Sequence, residues 1–355
     1  MSSRPKTLVM LTPAFPASEL ETSWVTTQQL FVRAFREQYP SLRIIILSFY
    51  YPERVGAYDW RGLQVFSFDG ARGGQRKLKR IFFWRDVWKK LRSLHRDNDL
   101  IGLFSFWCGE CALMGHYFGR RYRLAHYCWL CGQDARETNK LVRLIHPRPQ
   151  ELIAMSDFLV REFQRNHGIR PQHMIPNAID PALFPVLPSP ERDIDVLGVG
   201  SLSRLKQYDI FIGIVGALRG YFPDVRSMIC GEGEARKEVE LLIEQQGLEE
   251  NVALPGLTPH REVLGLMQRT RILLHTSNYE GFGVVCLEAL YAGAHVISFC
   301  KPMDQEISHW HIVGDEEEMI QKALDLLGDP ATEYRPVLPF TMNNTVRSVM
   351  QLFTK

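Results

Sequence analysis

No apolar run in the 355-residue sequence reaches the roughly 20 residues that a helical bilayer span requires, so no membrane-spanning helix is expected. The opening stretch MSSRPKTLVMLTPAFP lacks a secretory h-region followed by a small-residue cleavage site, which points to a cytoplasmic address. A strong charge of one sign is also missing. The net charge is only +2, so any basic surface that grips a partner must be local. There is no short-period repeat and no low-complexity tract, which excludes solenoids and disordered arrays. Seven cysteines are present, with Cys108-x-x-Cys111 and Cys128-x-x-Cys131 at a spacing that zinc ribbons use. The segment HYCWLC nevertheless reads as a buried strand, in which residues three apart face opposite ways and do not easily share one metal. CGEC opens a helix, where a redox pair is conceivable. The preferred reading is reduced, mostly buried thiols, with no metal and no cofactor.

What is there is the balance of a soluble globular chain, 45% hydrophobic and 23% charged, at a length that suits two α/β domains. Strand-like runs alternate with helical ones almost from end to end. The first half offers strands at Thr7–Leu11, Arg43–Phe49, Leu63–Phe68, Leu100–Phe106, Leu124–Leu130 and Glu151–Ala154. A proline-dense stretch, RPQHMIPNAIDPALFPVLPSPERD, then reads as an interdomain connection. DIDVLGVG, VRSMIC, NVAL, RILLH and AHVISF supply a second set of strands with helices between them. The expected division is 1–176, a linker and hinge at 177–192, a second domain at 193–330, and a tail at 331–355 with helical spacing after Pro339.

Three glycine-bearing loops follow strands in the second half. Ligands in open α/β sheets bind beyond the carboxyl ends of the strands, so these loops are candidate binding elements. In YEGFGVVCLEALYAG, Glu280 lies in such a loop, Gly281 and Gly283 allow close approach of the backbone, and a helix should begin near Val284 and end at Gly293. The free N–H groups from Gly283 to Val285 can hold an anion. Glu288, about a turn further in, can reach the hydroxyls of a ribose beside a bound phosphate. In VGSLSRLKQYD, Gly200 and Ser201 open a loop carrying Arg204 and Lys206, and the lysine can neutralise a phosphate leaving group. CGEGEARKE repeats the grammar at Gly231 and Gly233. The arrangement favours a nucleotide diphosphate.

PNAID at 176–180, GSLSRLKQYD at 200–209, ICGEGEARKEVELLIEQQGLEENVALPG at 229–256 and YEGFGVVCLEALYAGAHVIS at 279–298 resemble, in order and spacing, the signature of the retaining GT-B glycosyltransferases of family 4. The last segment resembles that family's Glu-x7-Glu motif. The resemblance implies two Rossmann-like, doubly wound parallel-sheet domains facing across a cleft, the first for the acceptor and the second for a nucleotide-sugar donor, with the tail helix packed back on the first. It implies that Lys206 binds the donor diphosphate and Glu288 the ribose hydroxyls. Glu280 and the backbone around Phe282 and Gly283 would hold the transferred sugar and its distal phosphate, and Gly256 and Leu257 would flank the base. The first half matches more loosely. CGQDAR at 131–136 resembles the family's His-Gly-x-Asp segment, with Cys131 where many members carry histidine, so Cys131, Gly132 and Asp134 are candidates for the cleft. FPASELETSW at 15–24 lacks the usual Gly-Gly loop, and Ser201 stands where an arginine is common.

The implied activity is retaining, metal-independent transfer of a sugar to a hydroxyl or lipid-linked glycan acceptor, in cell-surface polysaccharide or glycolipid biosynthesis. Two carboxylates would also suit a retaining glycoside hydrolase built on Glu280 and Glu288, although that leaves Lys206 and the glycine loops without a purpose. Asp97-Asn98-Asp99 and Asp193-Ile194-Asp195 imitate a metal-binding Asp-x-Asp, but each precedes a strand, away from the binding edge. Residues 72–96, RGGQRKLKRIFFWRDVWKKLRSLHR, carry ten lysines and arginines against Asp86 alone. Leu78, Ile81, Trp84, Trp88, Leu91 and Leu94 fall near helical spacing. This helix either docks on the first domain with its charges solvated or lies on an anionic membrane surface, placing the protein peripherally on the cytoplasmic face. Non-catalytic binding of nucleic acid through the same stretch is less favoured, since no recognised module surrounds it.

Overall fold

The computed structural model describes residues 4–21, 25–68, 77–186 and 191–354, with the backbone alone at 77–79. Residues 22–24 of the first loop, 72–76 of the basic stretch, 187–190 of the linker and the tail's last residue, 355, lie outside the described residues, as does the side chain of Leu78. The chain divides into two compact units, Met1–Asn177 with Met342–Lys355, and Ala178–Thr341. The stretch 331–341, assigned by sequence to the tail, thus belongs to the second unit. It is pinned there: Val337 N–H donates to Leu290 O at 2.9 Å and the Arg271 guanidinium donates to the Tyr334 hydroxyl at 3.0 Å.

The first unit is built on β1 (Lys6–Ala14), β2 (Arg43–Tyr51), β3 (Val55–Trp60), β4 (Leu63–Phe68), β5 (Asp99–Phe106), β6 (Ala125–Leu130), β7 (Leu152–Ala154) and β8 (His173–Met174), in the order β3-β4-β2-β1-β5-β6-β7-β8. All pairings are parallel except β3 with β4. That antiparallel edge strand was not expected from sequence. It follows from a tight turn in which Arg61 and Gly62 both take positive φ, the backbone that a two-residue hairpin demands. The apolar faces of the central strands meet the helix Thr26–Gln38, whose Phe31 stacks on Phe104 at 5.3 Å and touches Phe106 and Trp129. The tail helix Met342–Phe353 packs against that same helix and returns to the sheet at its end. There the Tyr127 hydroxyl donates to Leu352 O at 2.8 Å, and a Cβ on Gly102 would lie 2.6 Å from the Phe353 ring.

The basic helix runs from Lys77 to Asp97. Its buried line is Val87, Leu91 and Leu94, with half-buried Phe83 ahead of them, whereas Ile81 and Phe82 are 57% and 54% exposed. Of the expected stripe, Leu91 and Leu94 are buried and Trp84 and Trp88 are half-buried, with Trp88 against Phe118 at 5.1 Å, whereas Ile81 faces outward. Phe83, not expected there, joins the inward side because Phe49, Tyr50 and Phe68 form an aromatic seat for it, with centroids 5.4 to 6.3 Å away. Among the described residues no helix is long and apolar enough to cross a membrane.

The second unit carries β9 (Ile194–Val199), β10 (Ser227–Cys230), β11 (Val252–Gly256), β12 (Thr270–His275), β13 (His295–Ser298) and β14 (Trp310–Ile312), all parallel in the order β11-β10-β9-β12-β13-β14. Val196, Ile229, Ile272, Leu274 and Ile297 bury one sheet face beneath Phe211, Ile214 and Val215 of the helix Tyr208–Arg219. Both units are thus doubly wound α/β layers, the fold class expected.

The cysteines are free thiols, and among the described residues no group of three or more His, Cys, Asp and Glu side chains is arranged to hold a metal. The two Asp-x-Asp look-alikes are occupied by local partners. Arg96 holds Asp97, Arg269 holds Asp193, and Arg271 reaches Asp195 at 3.3 Å.

Candidate functional site

The second unit gathers its candidate residues at the carboxyl ends of β9, β10, β11 and β12. Loop-on-loop packing sets the frame. Gly231, at φ +155°, places its Cα so close to the β9 loop that a Cβ would sit 1.8 Å from Gly200 O, and one on Gly233 would sit 2.2 Å from Leu202 O. These two glycines are demanded by the neighbouring backbone, which is a firmer reason than the anion contact their pattern suggested. The β9 loop then turns through a short 3-10 segment, Arg204–Lys206, with Ser201 and Arg204 exposed. Thr276, just past β12, donates from its hydroxyl to Lys206 O at 2.6 Å, which ties the two loops together.

The consequence is a half-buried charge pair. Lys206 Nζ donates to Glu280 Oε2 at 2.8 Å, and His275 Nε2 stands 3.5 Å from the same oxygen, too far for a firm hydrogen bond. Burial works against the ionised form of Glu280, yet His275 and Lys206 outweigh it and pull its carboxyl down to about 2. Past Glu280 the chain turns through Gly283, at φ +67°, into the helix Val284–Tyr291. Gly281 and Gly283 are buried, Val284 and Val285 are half-buried, and Phe282 turns its ring inward against Phe340 at 5.8 Å. Phe282 thus anchors the loop by its side chain and leaves its backbone for other contacts.

Glu288, one turn inside that helix and 7% exposed, does not pair with Glu280's partners. Its Oε1 lies 2.7 Å from Nε2 of His260, the first residue of the helix His260–Gln268. Burial alone would favour neutral imidazole, but the hydrogen bond and charge of Glu288 prevail and raise the His260 pKa above its ordinary value. The loop leading to His260 begins at Gly256, whose φ is +81° and whose carbonyl accepts from Gly231 N–H at 2.9 Å, and it exposes Leu257. His260, His275 and Thr276 were not singled out in the sequence. HTS at the end of a buried strand was the available signal for the last two, while nothing local marks His260.

Cys131, Gly132 and Asp134 lie in the first unit, where β6 ends. Asp134 accepts backbone N–H groups from Cys108 at 2.8 Å, Gly132 at 2.8 Å and Cys131 at 3.1 Å. Its carboxylate thereby stitches the loop after β5 to the loop after β6. Burial raises its pKa, partly offset by those three donors. The Cys131 thiol donates to Trp129 O at 3.4 Å, and burial pushes its pKa up.

Residues 180–328 match the family described as glycosyl transferases group 1. A phosphatidylinositol N-acetylglucosaminyltransferase gpi3 subunit from Schizosaccharomyces pombe is 27% identical over 72% of this chain, and a human phosphatidylinositol N-acetylglucosaminyltransferase chain is 31% identical over 45% of it. The matched stretches span 58% and 34% of those relatives' own lengths. Among solved structures, Staphylococcus aureus TarM in complex with fondaparinux, alpha-GlcNAc-glycerol and UDP superposes with a TM-score of 0.70 at 12% identity, covering 99% of this chain and all of that one. Sucrose-phosphate synthase from Thermosynechococcus elongatus gives 0.67 at 15% identity, covering 98% of this chain and 95% of that one. At such identities the likeness establishes the GT-B fold and nothing finer.

Proposed function

We propose that this chain, whose residues 180–328 match the glycosyl transferases group 1, transfers a sugar from a nucleotide-diphosphate sugar to a hydroxyl acceptor, with retention and without a metal, in glycolipid or polysaccharide biosynthesis. The observation that carries this reading is the alignment along one sheet edge of Lys206, Glu280, the helix start at Gly283 and Glu288. An ammonium has three donors, and Glu280 takes one, so Lys206 can serve a diphosphate while staying anchored. In the reaction the bond from the sugar carbon to the diphosphate breaks, the acceptor oxygen bonds that carbon, and the acceptor hydroxyl loses its proton. Negative charge grows on the leaving diphosphate, where Lys206, Arg204 and the N–H groups from Gly283 to Val285 would meet it. In this reading Glu280 orients sugar hydroxyls, Glu288 accepts from the ribose, and Gly200, Ser201, Gly256 and Leu257 line the nucleotide.

The hydrolase alternative fares worse on the same geometry. Lys206 and His275 hold the Glu280 carboxyl down, which disfavours it as the general acid, and hydrolysis of a simple glycoside gives Lys206 and the glycine loops no purpose. The test is thermal unfolding with UDP, GDP and ADP in turn. A nucleotide at about 100 times its dissociation constant should stabilise the protein by about 2.7 kcal/mol, and Glu288→Ala should abolish that shift. No shift with any of the three would remove the donor half of the reading.

The acceptor is proposed to be lipid-borne, met by a peripheral protein on the cytoplasmic membrane face. Arg85, Lys89, Arg92 and Arg96 are exposed along the basic helix, only partly offset by Asp86 and Asp97, and Ile81 and Phe82 project beside them. Exposed apolar side chains next to cations suit an anionic bilayer surface better than bare solvent or nucleic acid. Sedimentation with phosphatidylserine vesicles should exceed that with neutral ones, and Ile81→Asp with Phe82→Asp should cut it about tenfold. Equal binding to both vesicle types would defeat the membrane assignment.

A further inference from the structure

The His260–Glu288 pair has no role in the reading above beyond Glu288 itself. The two side chains are 18% and 10% exposed, and the 2.7 Å contact fixes one carboxylate oxygen. The other oxygen is left as an acceptor. Glu288 belongs to a helix whose adjoining residues Cys286, Leu287, Ala289 and Leu290 are buried, so its backbone cannot adjust and its carboxylate torsion is the remaining freedom. His260 removes that freedom from outside. Its own placement is strict: Pro259 ends the loop with φ −55°, and the Pro259 carbonyl accepts from Glu262 N–H and Val263 N–H, opening the helix with His260 at its first position. One residue thus ties the 256–259 loop to the carboxylate proposed to read the sugar of the nucleotide.

We propose that His260 is a positioning residue that holds Glu288 in the orientation required to read a ribose diol, and so makes the site select ribonucleoside over 2′-deoxyribonucleoside diphosphates. The inference rests on the donor reading and assigns to it a residue that neither glycine pattern nor glutamate spacing reveals. A carboxylate accepting from both hydroxyls of a vicinal diol must present its free oxygen between them. A carboxylate released from His260 rotates to satisfy itself elsewhere and meets one hydroxyl no better than solvent does.

Calorimetric titration with UDP, GDP and ADP first finds the nucleotide that binds, and the 2′-deoxy form of that nucleotide then gives the selectivity ratio. Wild type should prefer the ribose form by about tenfold or more, the weight of one hydrogen bond to a charged group. His260→Ala should bring the ratio close to one, chiefly by weakening the ribose form. His260→Gln, whose amide N–H can be offered from nearly the same place, should restore most of it, and His260→Asn, which is too short, should not. A purely structural histidine would change both affinities together and leave the ratio intact. An unchanged ratio in His260→Ala and His260→Asn overturns this inference and leaves the donor site standing, whereas wild type that binds none of the three nucleotides overturns both.

Discussion

Lys206→Ala should lower kcat by about 100- to 1,000-fold while changing nucleotide affinity far less, because its charge matters most when the diphosphate departs. The lysine sits where such a role requires. The hydrogen bond to Glu280 and the Thr276 hydroxyl on Lys206 O hold it without exhausting its donors. A group fixed before the reaction needs no reorganisation during it, which is why a single placed charge can be worth several kcal/mol in a largely dry site. Lys206→Arg should recover only part of the loss, since the planar fork cannot keep both the Glu280 contact and the same point of charge. Turnover measured in excess EDTA should equal that in added magnesium. Equal kcat in Lys206→Ala and wild type would end the leaving-group role. The substitution also has a signature apart from catalysis. Glu280's carboxyl is depressed when folded, so it contributes stability above the unfolded carboxyl range, and that contribution is lost as pH falls toward about 2. Removing Lys206 should move that acid loss to higher pH, as an acid-unfolding titration would register.

The donor edge was legible because its requirements are local. A glycine at a strand end, a lysine six residues on and a glutamate one helical turn inside the next element are each written within a single stretch, and both sheets could be read from runs such as RIIILSFYY and RILLH. What escaped depends on partners distant in sequence. His260 and Glu288 are 28 residues apart, and only the fold brings them to 2.7 Å. Gly231 was visible as a glycine, but the carbonyl of Gly200 that forbids a side chain there was not. The basic helix and most of its inward face were legible, with Leu91 and Leu94 buried and Trp84 and Trp88 half-buried. Its first turns were not: Ile81 faces outward, and the aromatic seat of Phe49, Tyr50 and Phe68 that receives Phe83 comes from distant strands. The hairpin strand Val55–Trp60 was missed because it is largely exposed, so burial imposes no alternation for a reader to find.

Asp134→Ala should cost the first unit about 3 kcal/mol or more and lower its melting temperature by roughly 6 to 12 °C. The size follows from what the carboxylate does. It is 7% exposed and accepts three backbone N–H groups, from Cys108, Cys131 and Gly132, two of them on buried residues. Alanine leaves those donors unsatisfied, each at about 1 kcal/mol or more, which offsets any relief from burying a charge. Asp134→Asn keeps one acceptor oxygen and should fall between the two. A sequence reading that places Asp134 in the cleft expects something else, namely a stable protein with little turnover. Scanning calorimetry together with kcat per folded molecule separates them. A lower melting temperature, with nucleotide binding by the second unit unchanged, makes Asp134 the stitch between the β5 and β6 loops. An unchanged melting temperature with turnover lost would return it to the reaction.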